Sequence, residues 1–417
     1  MDKTRKKLIT VLGQCLLQSG CPCHRAEEAL QHTARMLAID ASFSFLPDTA
    51  IVTFSADPQK QSFMIKSPQS LDMGRIGRTH AIMDRYFEDA DGAPDNLALL
   101  EQCLAALEEV ANSGPTWGML GTLFAFSASS FSASVMLFEG SWIDASLSAG
   151  LGLVVALMFI LASYYPIYGR VFEISACVLV AALARALHSY CCFTGVAVSA
   201  ILILLPGYGM TVSVMELSAR HVTTGSIRLV YAIFYAFLLA YGLQMGSRLY
   251  ASIVADDSEV GDELCGSNPV SPLYYIPMLP VLSISIAISY GSSVRQWASQ
   301  SGGAAIAFCL SYFLGKVVPD PPIVNSITAF ATGLYAYCVL KLTGEPPLIS
   351  LSVGITLLVP GSIGVKGAYS LLHQESPSDS LFPIQMAIVA LGLAAGMFAA
   401  AMIVYPAGKG RKLLISL

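Results

Sequence analysis

The chain has 417 residues, of which 55% are hydrophobic and 12% charged, with a net charge of −5. Soluble domains carry about 25% charged residues, so this composition excludes an ordinary soluble enzyme. The small net charge and the lack of a basic tract exclude nucleic acid as a partner.

The charge is unevenly placed. Residues 1–113 hold 11 of the 23 Lys/Arg and 15 of the 28 Asp/Glu, which predicts a water-soluble N-terminal domain. Lys3, Arg5, Lys6 and Lys7 precede an amphipathic stretch rather than the apolar core of a signal peptide. Leu8, Val11, Leu12, Cys15 and Leu16 have the spacing of an amphipathic helix. A second helix is expected after Pro22, running to about Leu37, with Glu27 and Glu28 in its first turn, where the helix dipole favours carboxylates. Phe43 and Phe45 alternate with Ser42 and Ser44 as in a strand. Pro47-Asp48 signals a turn, and Ile51 to Ser55 reads as a second strand. Phe63 and Ile65 suggest a third strand, and helices resume near Leu71 and Asp95. Residues 1–113 therefore read as a small α+β domain.

Cys21-Pro22-Cys23-His24 has the look of half a metal site, but no second pair with zinc spacing follows. It is read as a helix start, and no metal or cofactor is expected.

Beyond residue 117 the chain is a series of apolar runs. A membrane-spanning helix needs about 20 mostly apolar residues. Ten stretches qualify: 118–138, 143–163, 171–187, 192–219, 225–247, 273–290, 302–318, 323–342, 348–372 and 382–405. In the first, ten of 21 residues are Gly, Ala or Ser, which suits a helix packed inside a bundle. Positively charged loops stay on the cytoplasmic side. With the N-terminal domain in the cytoplasm, the inner loops carry Arg170, Arg220, Arg295 and Lys341, and a basic tail at 406–417 follows. The outer loops are acidic, above all 248–272, with Asp256, Asp257, Glu259, Asp262 and Glu263. Cys191, Cys192 and Cys265 fall near that outer face, where a disulfide forms only if the compartment is oxidising.

The ten stretches divide into two sets of five, 118–247 and 273–405. Segment four carries Pro206-Gly207 and segment nine Pro360-Gly361. Five is odd, so the second set inserts upside down. Two inverted repeats with broken helices at matching places is the plan of many secondary transporters. The expected fold is thus an α-helical polytopic membrane protein of two inverted five-helix repeats, preceded by the α+β domain.

Particular motifs resemble one family. Cys21 to Glu28 within Gln14–Leu37 is similar to the start of the ThrE family of threonine/serine exporters, which has a Pro-x-His-Arg-x-Glu stretch here. Asp72-Met73-Gly74-Arg75 resembles its loop before the next helix. Pro206-Gly207-Tyr208, Glu216 to Arg220, Gly225 to Tyr231, and Leu358 to Ser362 resemble its membrane half. The likeness covers almost the whole chain. It points to the fused, fungal-type members related to pheromone-regulated membrane protein 10. Cys21 and Cys23 depart from the pattern, where small residues or Thr are usual. The resemblance implies proton-coupled export of small amino acids, while split bacterial relatives are associated with dicarboxylates.

Charges and breaks within membrane spans are the candidate pathway residues. These are Glu173 at the inner end of helix three, Pro206 and Gly207 at the first break, and Glu216 and Arg220. They continue with Asn325 at the start of helix eight, then Pro360, Gly361, Ser362 and Lys366 at the second break. The i, i+4 spacing of Glu216 and Arg220 suggests an ion pair. A half-helix N-terminus at Gly207 or Gly361 can hold a substrate carboxylate, with Ser362 adding a hydroxyl. Glu216 is the expected carrier of the coupling proton, unless a tight pair with Arg220 passes that role to Glu173. His24, Arg25 and Glu28 read as a domain contact or a capped surface helix. The expected partners are an amino acid or other small carboxylate, protons and the lipid bilayer. A homo-oligomer is compatible. No hydrolase or Walker A motif is present, which argues against an intramembrane enzyme or ATP-driven pumping. A non-transporting membrane protein with a partner-binding soluble domain is the remaining alternative. The orientation predicts that, after reduction, an impermeant maleimide labels Cys265 only from the side opposite the N-terminal domain. Labelling only from the N-terminal side contradicts it.

Overall fold

The structure is a computed structural model that describes residues 2–54, 62–66, 70–89, 96–254, 265, 268–358, 365, 367, 369 and 382–404. The first 112 residues build a small α+β unit. Helices α1 (Asp2–Gln18) and α2 (Cys23–Met36) precede strands β1 (Ala41–Leu46), β2 (Thr49–Phe54) and β3 (Ser62–Lys66), and helices α3 (Met73–Asp89) and α4 (Leu97–Asn112) follow. The sheet is antiparallel in the order β1-β2-β3. Leu46 pairs with Thr49 across a two-residue turn of Pro47 and Asp48. Asp48 takes a left-handed φ of 59°, which Asp tolerates better than most side chains. The alternation of β2 puts Ala50, Val52 and Phe54 inward against Leu8, Leu12, Leu16 and Leu30. Fully burying each such leucine contributes roughly 1.5–3 kcal/mol. One expectation needs correcting: α2 begins at Cys23, so Glu27 and Glu28 lie in its second turn and do not complement its dipole.

The rest is helical. Helices α5 (Met119–Leu137), α6 (Trp142–Tyr164) and α7 (Phe172–Ala186) come first. A bent pair, α8 (Phe193–Ala200) and α9 (Gly207–Ser218), leads to the long α10 (Val222–Val254). Helices α11 (Tyr275–Ser289), α12 (Trp297–Gly315), α13 (Pro321–Thr343), α14 (Pro347–Leu358) and α15 (Phe382–Val404) follow. Among the described residues, six helices are long and apolar enough to cross a membrane, and the bent pair makes a seventh. The other three of the ten expected spans fall short for separate reasons. The 15 residues of α7 reach about 22 Å. Helix α12 opens on the polar Ser299, Gln300 and Ser301, and α14 is described only to Leu358. Pro360, Gly361, Ser362 and Lys366 lie outside the described residues, as do the acidic stretch 255–264 and the tail 405–417.

Small residues set how closely the helices approach. On α10, Gly242 and Gly246 face α7: a Cβ at Gly242 would sit 2.7 Å from the Cys177 Cβ, and one at Gly246 would collide with the Val178 carbonyl. Such contact is the main attraction between helices where lipid replaces water.

The two ends of the bundle differ. The N-terminal unit sits on one. There the backbone N–H groups of Met73 and Gly74 donate to the carbonyls of Tyr290 and Gly291, at 2.8 and 3.1 Å. Gln296 donates back to the Met73 carbonyl, and the Trp117 indole to Ser292. Leu348 and Ile349 of α14 belong to the N-terminal unit's core. A Cβ on Gly74 would lie 2.6 Å from the Gly291 carbonyl oxygen, so this position needs glycine. At the other end a disulfide joins Cys192 to Cys265, with Cα atoms 4.7 Å apart. Of the three cysteines expected near that face, Cys191 stays a free, buried thiol. The Cys192 N–H donates to Asp144, which also closes the capping box of α6 with Ser141. The bridge ties α8 to the segment before α11 across 73 residues. Removing it with Cys192→Ser should cost roughly 2–4 kcal/mol. It should lower the unfolding temperature of the oxidised protein and leave that of the reduced protein unchanged.

Candidate functional site

The bend between α8 and α9 is 62°. Its cause lies in residues 201–207. Helix α8 caps at Ile201, Leu202–Leu204 make one tight turn, and Pro206, which has no N–H, stops the ladder before α9 starts at Gly207. Helix α9 therefore begins inside the bundle with unpaired N–H groups. Gly207 and Tyr208 share a cavity of about 150 Å3 with Thr356 and Leu357, the last turn of α14 before the second Pro-Gly.

At the far end of α9 sits Glu216, with 0% exposure. Its Oε1 accepts a 2.6 Å bond from Arg228 Nη1 on α10 and a 2.8 Å bond from the backbone N–H of Cys23. The first N–H of α2 thus lands on a carboxylate within the bundle, and the helix dipole of α2 adds to the attraction. Its Oε2 is buried without a partner among the described residues. Buried ions need such partners, because desolvation costs several kcal/mol per charge.

Arg220 does not make the expected pair. Helix α9 ends in a Schellman motif, with the N–H groups of Arg220 and His221 donating to the carbonyls of Leu217 and Glu216. That motif places Arg220 in the left-handed region at φ 68°, where its side chain is exposed. The i, i+4 spacing assumed a helix running through 220, and the helix stops two residues earlier. Arg228, 12 residues beyond Glu216, takes the role. Its signal was present: an arginine inside the apolar run 225–247.

His24 and His221 meet beside this pair, ring centroids 6.2 Å apart. His221 lies 3.5 Å from Glu27, and Arg25 pairs with Glu28 at 2.8 Å. His24 is 3% exposed, and neither of its ring nitrogens has a hydrogen-bond partner among the described residues. Burial, with Arg25, His221 and Arg228 nearby, pushes its pKa down from 6.5 to about 2. Of the motif His24, Arg25 and Glu28, His24 meets the bundle at His221, while Arg25 and Glu28 pair with each other within α2.

Beside the pair lies a cavity of about 660 Å3 between the N-terminal unit and the helix ends. Pro47 and Asp48 at the hairpin tip line one side; Glu173, Pro206, Gly209, Arg228 and Tyr235 line the other. Glu173, Pro206 and Arg228 are thereby gathered at one place, and Gly207 and Glu216 adjoin it along α9. Asn325 is not: it is half-buried near the start of α13, four residues past Pro321. Lys316 is exposed at the end of α12 and donates to the Tyr312 hydroxyl. The sequence reading missed Asp48, which only the docking of the hairpin on α10 brings here, and the tyrosines of α9 and α10 that line the cavity.

Two outcomes follow. Arg228→Ala leaves a buried carboxylate without its countercharge and should destabilise by roughly 3–5 kcal/mol, whereas Arg220→Gly should be neutral or stabilising by up to about 1 kcal/mol; unfolding in detergent reads both. His24 gives a pH dependence. Its docked pKa is depressed, so the undocked state binds more protons between pH about 6.5 and about 2. Docking is full above that window and weakens as pH falls into it, by about 1.4 kcal/mol per unit. The unfolding midpoint should drop between pH about 7.5 and about 5.5, and His24→Leu should flatten that drop.

Comparison with known proteins agrees with this anatomy. Residues 7–250 match the family described as ThrE, "Putative threonine/serine exporter". The chain is 28% identical to pheromone-regulated membrane protein 10 of Saccharomyces cerevisiae (strain YJM789), over 99% of this chain and 56% of the yeast protein. It is 27% identical to the protein of that name from Candida albicans (strain WO-1), over 99% of this chain and 39% of that one. The chain therefore spans about half the length of the curated relatives it matches, or less. No solved structure matches it. With the family match covering more than half its length, this multi-pass membrane chain belongs to the ThrE family.

Proposed function

We propose that the protein is a secondary transporter that exports a small amino acid, of the threonine or serine kind, in exchange for protons. The observation that carries this is the broken helix. Helix α9 starts at Gly207, and its first turn lines a cavity that also holds Glu173 and Arg228. A half-helix N-terminus inside a bundle is a binding device for a carboxylate. The family match supports the same class of activity. In this reading the bundle comprises ten helices in two inverted repeats, with both termini cytoplasmic. Pro360-Gly361, with Ser362 and Lys366 after it, supplies the second half-site, and the solute reaches the two breaks by alternating access.

Glu216 is held by Arg228 and by the N-terminus of α2, so we assign it to keeping the N-terminal unit on the bundle. The coupling proton passes to Glu173, on the cavity wall. Vesicles loaded with labelled threonine test the assignment. An inward proton gradient should drive export, and Glu173→Gln should remove the gradient-driven part. Glu216→Gln should keep proton-driven export while loosening the N-terminal unit. Gradient-driven export that survives Glu173→Gln refutes the proton assignment. No flux of threonine, serine or succinate in the wild type favours a non-transporting role; succinate alone moving favours a dicarboxylate exporter.

A further inference from the structure

Another cavity, of about 390 Å3, lies where the N-terminal unit meets the start of α5. One side is polar, with Asp72, Arg75, Ser113 and Thr116. The other is apolar, with Phe126 of α5, Phe159 of α6, and Ile203 and Leu204 of the tight turn before α9. Arg75 is only 8% exposed. Its Nη2 donates to the Ser113 carbonyl at 2.7 Å, which sets the guanidinium on the polar wall, and its Nε is buried without a partner among the described residues. Among those residues no carboxylate pairs with it. Asp72, three residues earlier, accepts instead from the Arg75 backbone N–H at 2.8 Å and from Thr116 at 3.1 Å. A buried cation without a countercharge is costly, and an N–H left without an acceptor adds to the cost. The planar fork of a guanidinium matches the oxygens of a phosphate.

The surroundings set the depth of this site. Ser113 and Trp117 immediately precede α5, the first helix long and apolar enough to cross a membrane. Trp117 lines the cavity and stacks on Trp297, ring centroids 5.6 Å apart, and tryptophan favours the level of the lipid headgroups. The apolar side opens outward: Phe159 is 42% exposed, and its ring lies 5.5 Å from that of Phe126. We infer that this cavity binds an anionic phospholipid, with the phosphate on Arg75 and an acyl chain along Phe126 and Phe159. A lipid held there touches α3 of the N-terminal unit together with α5 and α6, and so joins the unit to the bundle. The Asp72 carboxylate stands on the same wall as Arg75 and suits a headgroup with hydroxyls to donate, as in phosphatidylglycerol. A soluble phosphate ester shares the headgroup chemistry but leaves the apolar side unfilled. The site does not depend on the export reading.

Full-length protein carrying Trp142→Phe keeps only the two stacked tryptophans, Trp117 and Trp297. It is titrated in detergent with phosphatidylglycerol whose acyl chains are brominated, a contact quencher of indole fluorescence. Quenching should saturate, and phosphatidylcholine with the same chains should quench more weakly. Arg75→Gln should weaken phosphatidylglycerol binding about tenfold, or about 1.4 kcal/mol, and remove its advantage over phosphatidylcholine. Arg75→Lys, which keeps the charge but not the fork, should retain part of that advantage. Thr122→Phe fills the apolar side from a partly exposed position and leaves the Arg75 bonds in place; it should weaken both lipids. Equal quenching by the two lipids in the protein with Arg75 intact, or an advantage that survives Arg75→Gln, overturns the inference. If Arg75→Gln fails to fold, Thr122→Phe decides, and phosphatidylglycerol quenching that it leaves unchanged overturns the inference. Displacement of the lipid by an equal concentration of glycerol 3-phosphate assigns Arg75 to a soluble phosphate ester and overturns it too.

Discussion

The Glu216 carboxylate, closed off from solvent, is shared between the Arg228 guanidinium and the first N–H of α2. Much else depends on that one arrangement. A buried carboxylate needs its charge answered locally, and here half the answer comes from α10 and half from a separate folded unit. The bundle and the N-terminal unit therefore complete each other electrostatically. The bond also fixes the direction of α2, so that Cys21, Cys23 and His24 face inward. Cys23 contributes its backbone rather than its thiol.

A second contact, at the start of α3, makes the attachment two-sided. There the bonds run from main chain to main chain, and Asp72 organises them by accepting from the Arg75 N–H and from Thr116. Leu348 and Ile349 join the apolar core of the N-terminal unit, so separating the two bodies exposes apolar surface as well as breaking bonds. The hairpin turn of Pro47-Asp48 is held over the helix ends as a result. The cavity is the space this attachment leaves: its floor is the α9 break and one of its walls is the hairpin.

The opposite end is held by different chemistry. Asp144 ties the start of α6 to the start of α8 through the Cys192 N–H, and the disulfide continues the tie to Cys265. One end of the bundle is thus covalently closed, and the other is closed by a folded unit held through hydrogen bonds and a buried ion pair.

By itself the sequence determined the elements. Hydrophobic runs located the helices, alternation located β1 to β3, and Pro206-Gly207 located a break that the structure bears out, because these features depend on neighbours a few residues apart. The motif order was enough to point to the family. The charge pairing was not legible. A spacing of i, i+4 suggested Glu216 with Arg220, but a Schellman turn ends α9 between them and sends Arg220 outward. Arg228 reaches Glu216 only because α10 folds back along α9. The N–H of Cys23 arrives from 193 residues away, and Asp48 reaches the cavity only through the docking of the hairpin. Local pattern records which residues can form a helix or a turn. Which charges meet across the protein is decided by how those pieces pack, because desolvation makes each buried charge depend on partners that no local spacing encodes.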